Sequence, residues 1–132
     1  MLIGTGVDIV EVERVERSIA RYGDRFLRRV FTPGEIAYCS QRRAATESFA
    51  ARFAAKEAGA KALGTGIQHG IGWTEIEVRR LPGQRPTLHF SGRALEWATR
   101  LKAAQISLSI SHTRGLAIAT VQLEGYECDD QR

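Results

Sequence analysis

The sequence predicts an α+β domain in which an antiparallel β-sheet packs on one long central α-helix. Three observations predict it. The stretch Thr46 to Gly66 is rich in alanine and free of proline, and alanine is the strongest helix former. Leu2 to Val10 alternates with the two-residue period of a strand, with Ile3, Thr5, Val7 and Ile9 on one face and Gly4, Gly6 and Asp8 on the other. Gln105 to Leu123 reads as two such runs joined by the turn His112-Thr113-Arg114-Gly115, which makes a hairpin.

The remaining elements follow in order. Glu11 to Tyr22 reads as a helix, with Val12, Val15, Ile19 and Tyr22 forming an apolar stripe. Arg14, Arg17 and Arg21 fall on its other side, and Arg25, Arg28 and Arg29 follow Gly23-Asp24. Thr32-Pro33-Gly34-Glu35 is a helix start, with threonine as cap, proline in the first turn and Glu35 placed for a capping box. A short helix to about Arg42 follows, then the central helix, which Gly64-Thr65-Gly66 ends. Trp73 to Leu81 reads as a strand and Pro82 to Pro86 as a turn. Thr87 to Phe90 is a returning strand, and Ser91 is positioned to cap a helix to about Ala103.

The length, 132 residues, suits a single domain, read as 1–123 with a polar tail over 124–132. No apolar run approaches the roughly 20 residues of a membrane span. The N-terminus lacks the pattern of a signal peptide. Cys39 and Cys128 lie far apart without metal-ligand spacing, which points to free thiols and a cytoplasmic location. The net charge of +4 suits an acidic partner or a phosphate-bearing ligand without requiring one.

The central stretch carries Arg52, Lys56, Glu57 and Lys61 inside an apolar segment. Buried charge is costly unless it is paired or binds an ion. Glu57 and Lys61 also have the spacing and order of an ordinary helical ion pair. Asp8 is a second oddity, because aspartate is depleted in strands, and beside two glycines it lies where a backbone or ligand can come close. The Ser111-His112 neighbours make a poor nucleophilic dyad, since adjacent strand residues point to opposite faces. His69, His89 and His112 lack zinc-ligand spacing, and no P-loop is present. Two carboxylates among lysines and arginines suit magnesium and phosphates better, because magnesium takes one or two carboxylates and completes its shell with water and phosphate oxygens.

Three segments carry a resemblance to the holo-[acyl-carrier-protein] synthases, the small trimeric phosphopantetheinyl transferases. They are Gly4 to Glu11, Arg52 to Ala58 continuing through Lys61 to Gly66, and Ser109 to Thr113. The resemblance implies the fold of that family and its reaction, in which the 4′-phosphopantetheine arm of coenzyme A moves to a serine of apo acyl carrier protein in support of fatty acid biosynthesis. It also implies that Asp8 and Glu57 hold magnesium and that Lys61 stabilises charge at the phosphates. Arg52, Lys56, Lys61, His112 and Thr113 would bind coenzyme A, together with Gly83 and Pro86, although the turn here has one residue more than the family's and no lysine. Arg14, Arg17, Arg21, Arg25 and Arg28 would dock the acidic carrier protein. A homotrimer with sites between neighbouring subunits is implied, with no membrane and no nucleic acid as partner. The base that takes the serine proton stays open between metal-bound water and a carboxylate. A basic nucleic-acid-binding module is the competing class, but it accounts for neither Asp8 nor Glu57. A catalytically inactive family member is a third reading.

Overall fold

Helix α4, Ala45–Leu63, runs through the centre of the computed structural model, which describes residues 1–126. It is enclosed on nearly every side, so the absence of a single polar face in the sequence reflects burial. Gly64, at φ 84°, closes it in the left-handed region.

Strands β1 (Leu2–Glu11), β4 (Ala103–His112) and β5 (Leu116–Gly125) form one antiparallel sheet in the order β1-β5-β4. Ala117, Ala119, Val121 and Leu123 of β5 point inward and are buried. On β1 the inward face holds Gly4, Gly6, Asp8 and, at its end, the buried Val10. Val7 and Ile9 are 50% and 62% exposed on the outer face, next to Leu116 and Ile118 at 48% and 38%. Among the described residues, strands β2 (Ile76–Arg79) and β3 (Thr87–Phe90) pair only with each other, in a second antiparallel sheet.

Helix α1 (Val12–Tyr22) buries Val12 and Val15. Gly23, at φ 56°, turns the chain into α2 (Asp24–Val30), a helix the sequence reading does not anticipate. Helix α3 (Pro33–Ser40) begins with the expected capping box: Thr32 Oγ1 accepts from Glu35 N–H at 3.2 Å and Glu35 Oε1 from Thr32 N–H at 2.9 Å. Trp73–Glu75 is a 3-10 turn, which shortens the strand expected from Trp73 to Leu81. Helix α5 (Gly92–Arg100) follows Ser91, but the serine side chain makes no capping bond. The Glu75 carboxylate accepts from Ala94 N–H at 3.1 Å instead. Strand β5 extends through Glu124 and Gly125, so those two residues belong to the sheet and not to a tail. Gly125 N–H donates to Met1 O at 2.7 Å. Cys39 is a buried free thiol, and Cys128 lies outside the described residues. Among the described residues no helix is long and apolar enough to cross a membrane.

Candidate active site

Asp8 and Glu57 lie within electrostatic reach of each other because β1 packs against α4. Gly4, Gly6 and Asp8 share a face of the strand by its two-residue period. A Cβ at Gly4 would sit 2.2 Å from the Ala62 carbonyl oxygen, so the strand approaches the helix where only glycine fits. Asp8 continues this face toward Glu57. Lys61 Nζ donates to Asp8 Oδ1 and to the Val7 carbonyl, both at 3.0 Å. The lysine therefore bridges helix to strand and does not form the Glu57 ion pair that its spacing suggests. Burial pushes the Glu57 carboxyl above its usual range, and the Asp8 charge pushes it further, against the opposing pull of Lys61 and Arg14. A half-buried carboxyl whose ionised form a neighbouring acid disfavours makes a place for a cation. No group of three or more His, Cys, Asp or Glu gathers among the described residues. A two-carboxylate donor set fits magnesium, which keeps waters and takes phosphate oxygens, better than it fits an all-protein cage.

A second feature is a cavity of about 720 Å³ lined by Arg42, Arg43, Arg52, Arg80 and Arg85 with Tyr38, Pro86 and His112. Arg52 is only 6% exposed. Its Nη1 donates to Ser48 Oγ at 3.3 Å, and its guanidinium stacks 4.2 Å from the Tyr38 ring centroid. Its Nε is buried without a hydrogen-bond partner. A buried donor without a partner is costly, and Arg52 lines the cavity with its guanidinium charge not paired to any carboxylate among the described residues. His112 Nδ1 lies 3.7 Å from Glu47 Oε1 at the same wall. Of the residues expected at coenzyme A, Arg52, Pro86 and His112 line this cavity. Gly83, at φ 75°, shapes the turn that precedes Pro86 but does not line it. The Thr113 hydroxyl accepts from Gly115 and Leu116 N–H, each at 3.3 Å, and so holds the hairpin turn. Asp8, Glu57 and Lys61 are not among the lining residues.

Lys56 requires a correction. Its side chain is wholly buried, with Nζ donating to Glu35 Oε1 at 2.5 Å and to the Ile76 carbonyl at 2.6 Å. Its Nζ is engaged inside the core, and Lys56 does not line the cavity. Burial pulls its pKa down and Glu35 pulls it back up. Arg42, Arg43, Arg80 and Arg85 escape the sequence reading. The signal for three of them is two adjacent basic pairs, Arg42-Arg43 and Arg79-Arg80, beside turns, and Arg85 lies within the Pro82–Pro86 turn itself.

On α1, Arg14, Arg17 and Arg21 line a groove of about 280 Å³ with Ser18 and Tyr22. Arg25 and Arg28 stand on α2, outside it. The pairs Arg17–Glu13 at 3.8 Å and Arg28–Asp24 at 4.0 Å are highly exposed, and such pairs hold charge loosely.

Residues 4–121 match the family model of the 4′-phosphopantetheinyl transferase superfamily, and the chain belongs to that family. Within it, the chain is similar to proteins named holo-[acyl-carrier-protein] synthase. The relative from Koribacter versatilis is 54% identical over 94% of this chain and 99% of its own, and that from Solibacter usitatus is 52% identical over the same shares. Among solved structures, the synthase of Neisseria meningitidis superposes with a TM-score of 0.84 at 34% identity, over 94% of this chain and 99% of that one. The Helicobacter pylori synthase, solved in complex with coenzyme A, gives 0.80 at 34% identity, over 91% and 99%.

Proposed function

We propose that this chain transfers 4′-phosphopantetheine from coenzyme A to a serine hydroxyl of an apo acyl carrier protein and releases adenosine 3′,5′-bisphosphate. What supports the reading most is that Lys61 holds Asp8 and that the Asp8 charge acts on Glu57. In the reaction the serine hydroxyl gives up its proton to a base, its oxygen bonds to the phosphorus next to the pantetheine arm, the bond from that phosphorus to the bridging oxygen breaks, and the bisphosphate departs with the electron pair. Transfer of this kind depends mainly on positioning and charge neutralisation. Asp8 and Glu57 would hold magnesium, which when bound supplies positive charge to the pyrophosphate. Lys61 offers a further cation one helical turn from Glu57.

The arginine cavity takes the nucleotide end of coenzyme A. Arg52 offers an anion its buried donors, His112 and neighbouring Thr113 stand at the end of the hairpin, and Gly83 turns the chain toward Pro86. The groove on α1 receives the acidic carrier protein, with Arg25 and Arg28 extending the field along α2. The exposed apolar face of Val7, Ile9, Leu116 and Ile118 supports self-association into a homotrimer. In it, one subunit's carboxylates would face the neighbour's cavity. Cytoplasmic work in fatty acid biosynthesis fits this reaction.

Incubation with apo carrier protein, coenzyme A and magnesium, followed by intact mass spectrometry of the carrier, tests the proposal. The carrier should gain one phosphopantetheine group. An unchanged mass with folded protein would reject it.

A further inference from the structure

Glu35 and Lys56 are both buried, at 1% and 0% exposure, and every polar atom at their meeting point is engaged. Glu35 Oε1 accepts from Lys56 Nζ and from Thr32 N–H, while Oε2 accepts from Val78 N–H at 2.8 Å. Lys56 also donates to the Ile76 carbonyl. Ile76 and Val78 are two residues apart on β2, so these backbone groups face the same edge of the strand. The two side chains thus stand where a third strand would lie. A two-stranded ribbon is marginal without such support.

The elements joined by this pair are the ones that deliver the cavity's guanidinium groups. Arg42 and Arg43 follow α3, which Glu35 begins. Arg52 lies one turn before Lys56 on α4. Arg80 and Arg85 flank the loop that leaves β2 and enters β3, and Arg80 Nε holds that loop by donating to the Gln84 carbonyl at 3.1 Å. Neither Glu35 nor Lys56 lines the cavity.

We propose that the Glu35–Lys56 pair is a positioning device: it locks α3, α4 and the β2–β3 ribbon at the spacing that lets five arginines converge on the phosphates of coenzyme A, without touching them. This rests on the cavity being the nucleotide site. A buried ion pair is weak evidence for stability, since apolar residues of similar volume often replace one at no cost. Its directed bonds to two neighbouring elements give it a role in geometry instead.

Two variants test it, Glu35→Gln and the double substitution Glu35→Met/Lys56→Met, each checked for a cooperative thermal melt. The expected result is a KM for coenzyme A raised by about tenfold, equivalent to about 1.4 kcal/mol of binding, with kcat and the KM for carrier protein nearly unchanged. The preference for coenzyme A over dephospho-coenzyme A should shrink, because that ratio reads the spacing of the guanidinium groups and not overall stability. Unaltered coenzyme A affinity in a folded variant would overturn the proposal. So would loss of all three parameters together, or failure of both variants to fold, since the pair would then serve stability alone. Arg52→Ala is the control on the underlying reading: if it leaves coenzyme A binding intact, the cavity assignment fails whatever the pair does.

Discussion

A Cβ atom at Gly6 would lie 1.9 Å from the carbonyl oxygen of Ala58. Strand β1 therefore touches α4 backbone to backbone, one residue past Glu57 on the helix and two residues before Asp8 on the strand. The contact sets the separation of the two carboxylates, and it can move only if the helix or the strand moves. Gly6→Ala should cost about 1–3 kcal/mol or more, the range for forced overpacking, and should lower magnesium-dependent turnover more than the stability loss explains. Urea melts and turnover at saturating coenzyme A check this. A variant as stable and active as the parent would show that the strand does not set the carboxylate spacing.

The Glu57 carboxyl should titrate above its ordinary value of 4.5, because burial and then the Asp8 charge disfavour its ionised form. The sign follows directly. Between the ordinary and the raised pKa the native state binds more protons than the unfolded state, so this group's contribution to stability falls as pH rises through that window. Metal binding needs the ionised form, so the acid limb of turnover should lie above the usual carboxylate range. Carboxyl-carbon NMR of the metal-free protein should show the Glu57 titration moving down in Asp8→Asn. No movement would mean that the two acids do not interact.

Arg21→Glu should raise the KM for carrier protein by about tenfold at low salt and less at high salt, as docking electrostatics do. Coenzyme A affinity should stay put. Arg14→Glu should share this effect but also disturb turnover, because Arg14 helps to hold Glu57 ionised. Equal loss of affinity for both substrates in Arg21→Glu would contradict a docking role.

Ile9→Glu and Ile118→Glu place charge on the exposed sheet face and should convert a trimer to monomers in sedimentation equilibrium, with turnover falling in step. Residues so exposed should not unfold the monomer. A parent protein that sediments as a monomer, or an active monomeric variant, would remove the neighbour from the site.

Much of this arrangement is legible in the residues because its causes are local or periodic. Alanine content marks α4, the Thr32–Glu35 spacing marks the start of α3, and a carboxylate beside two glycines marks the close approach of β1. The parts that are not legible depend on chain segments far apart in sequence. Lys56 has the look of a phosphate ligand until the fold brings Glu35, twenty-one residues earlier, against it. Lys61 has the spacing to pair with Glu57, yet the strand offers it Asp8 and a carbonyl. Arg42, Arg80 and Arg85 converge only when two separate loops meet over α4. The outward turn of Val7 and Ile9 follows from the glycines claiming the inner face, which alternation alone does not decide.

Binding of manganese(II), used as a paramagnetic substitute for magnesium, measures the central relationship most directly. Titration followed by electron paramagnetic resonance in the presence of coenzyme A should show one ion bound per chain. That binding should be lost in Asp8→Ala and equally in Glu57→Ala, with both variants still folded. Binding that survives either substitution unchanged would contradict a shared ion between the two acids.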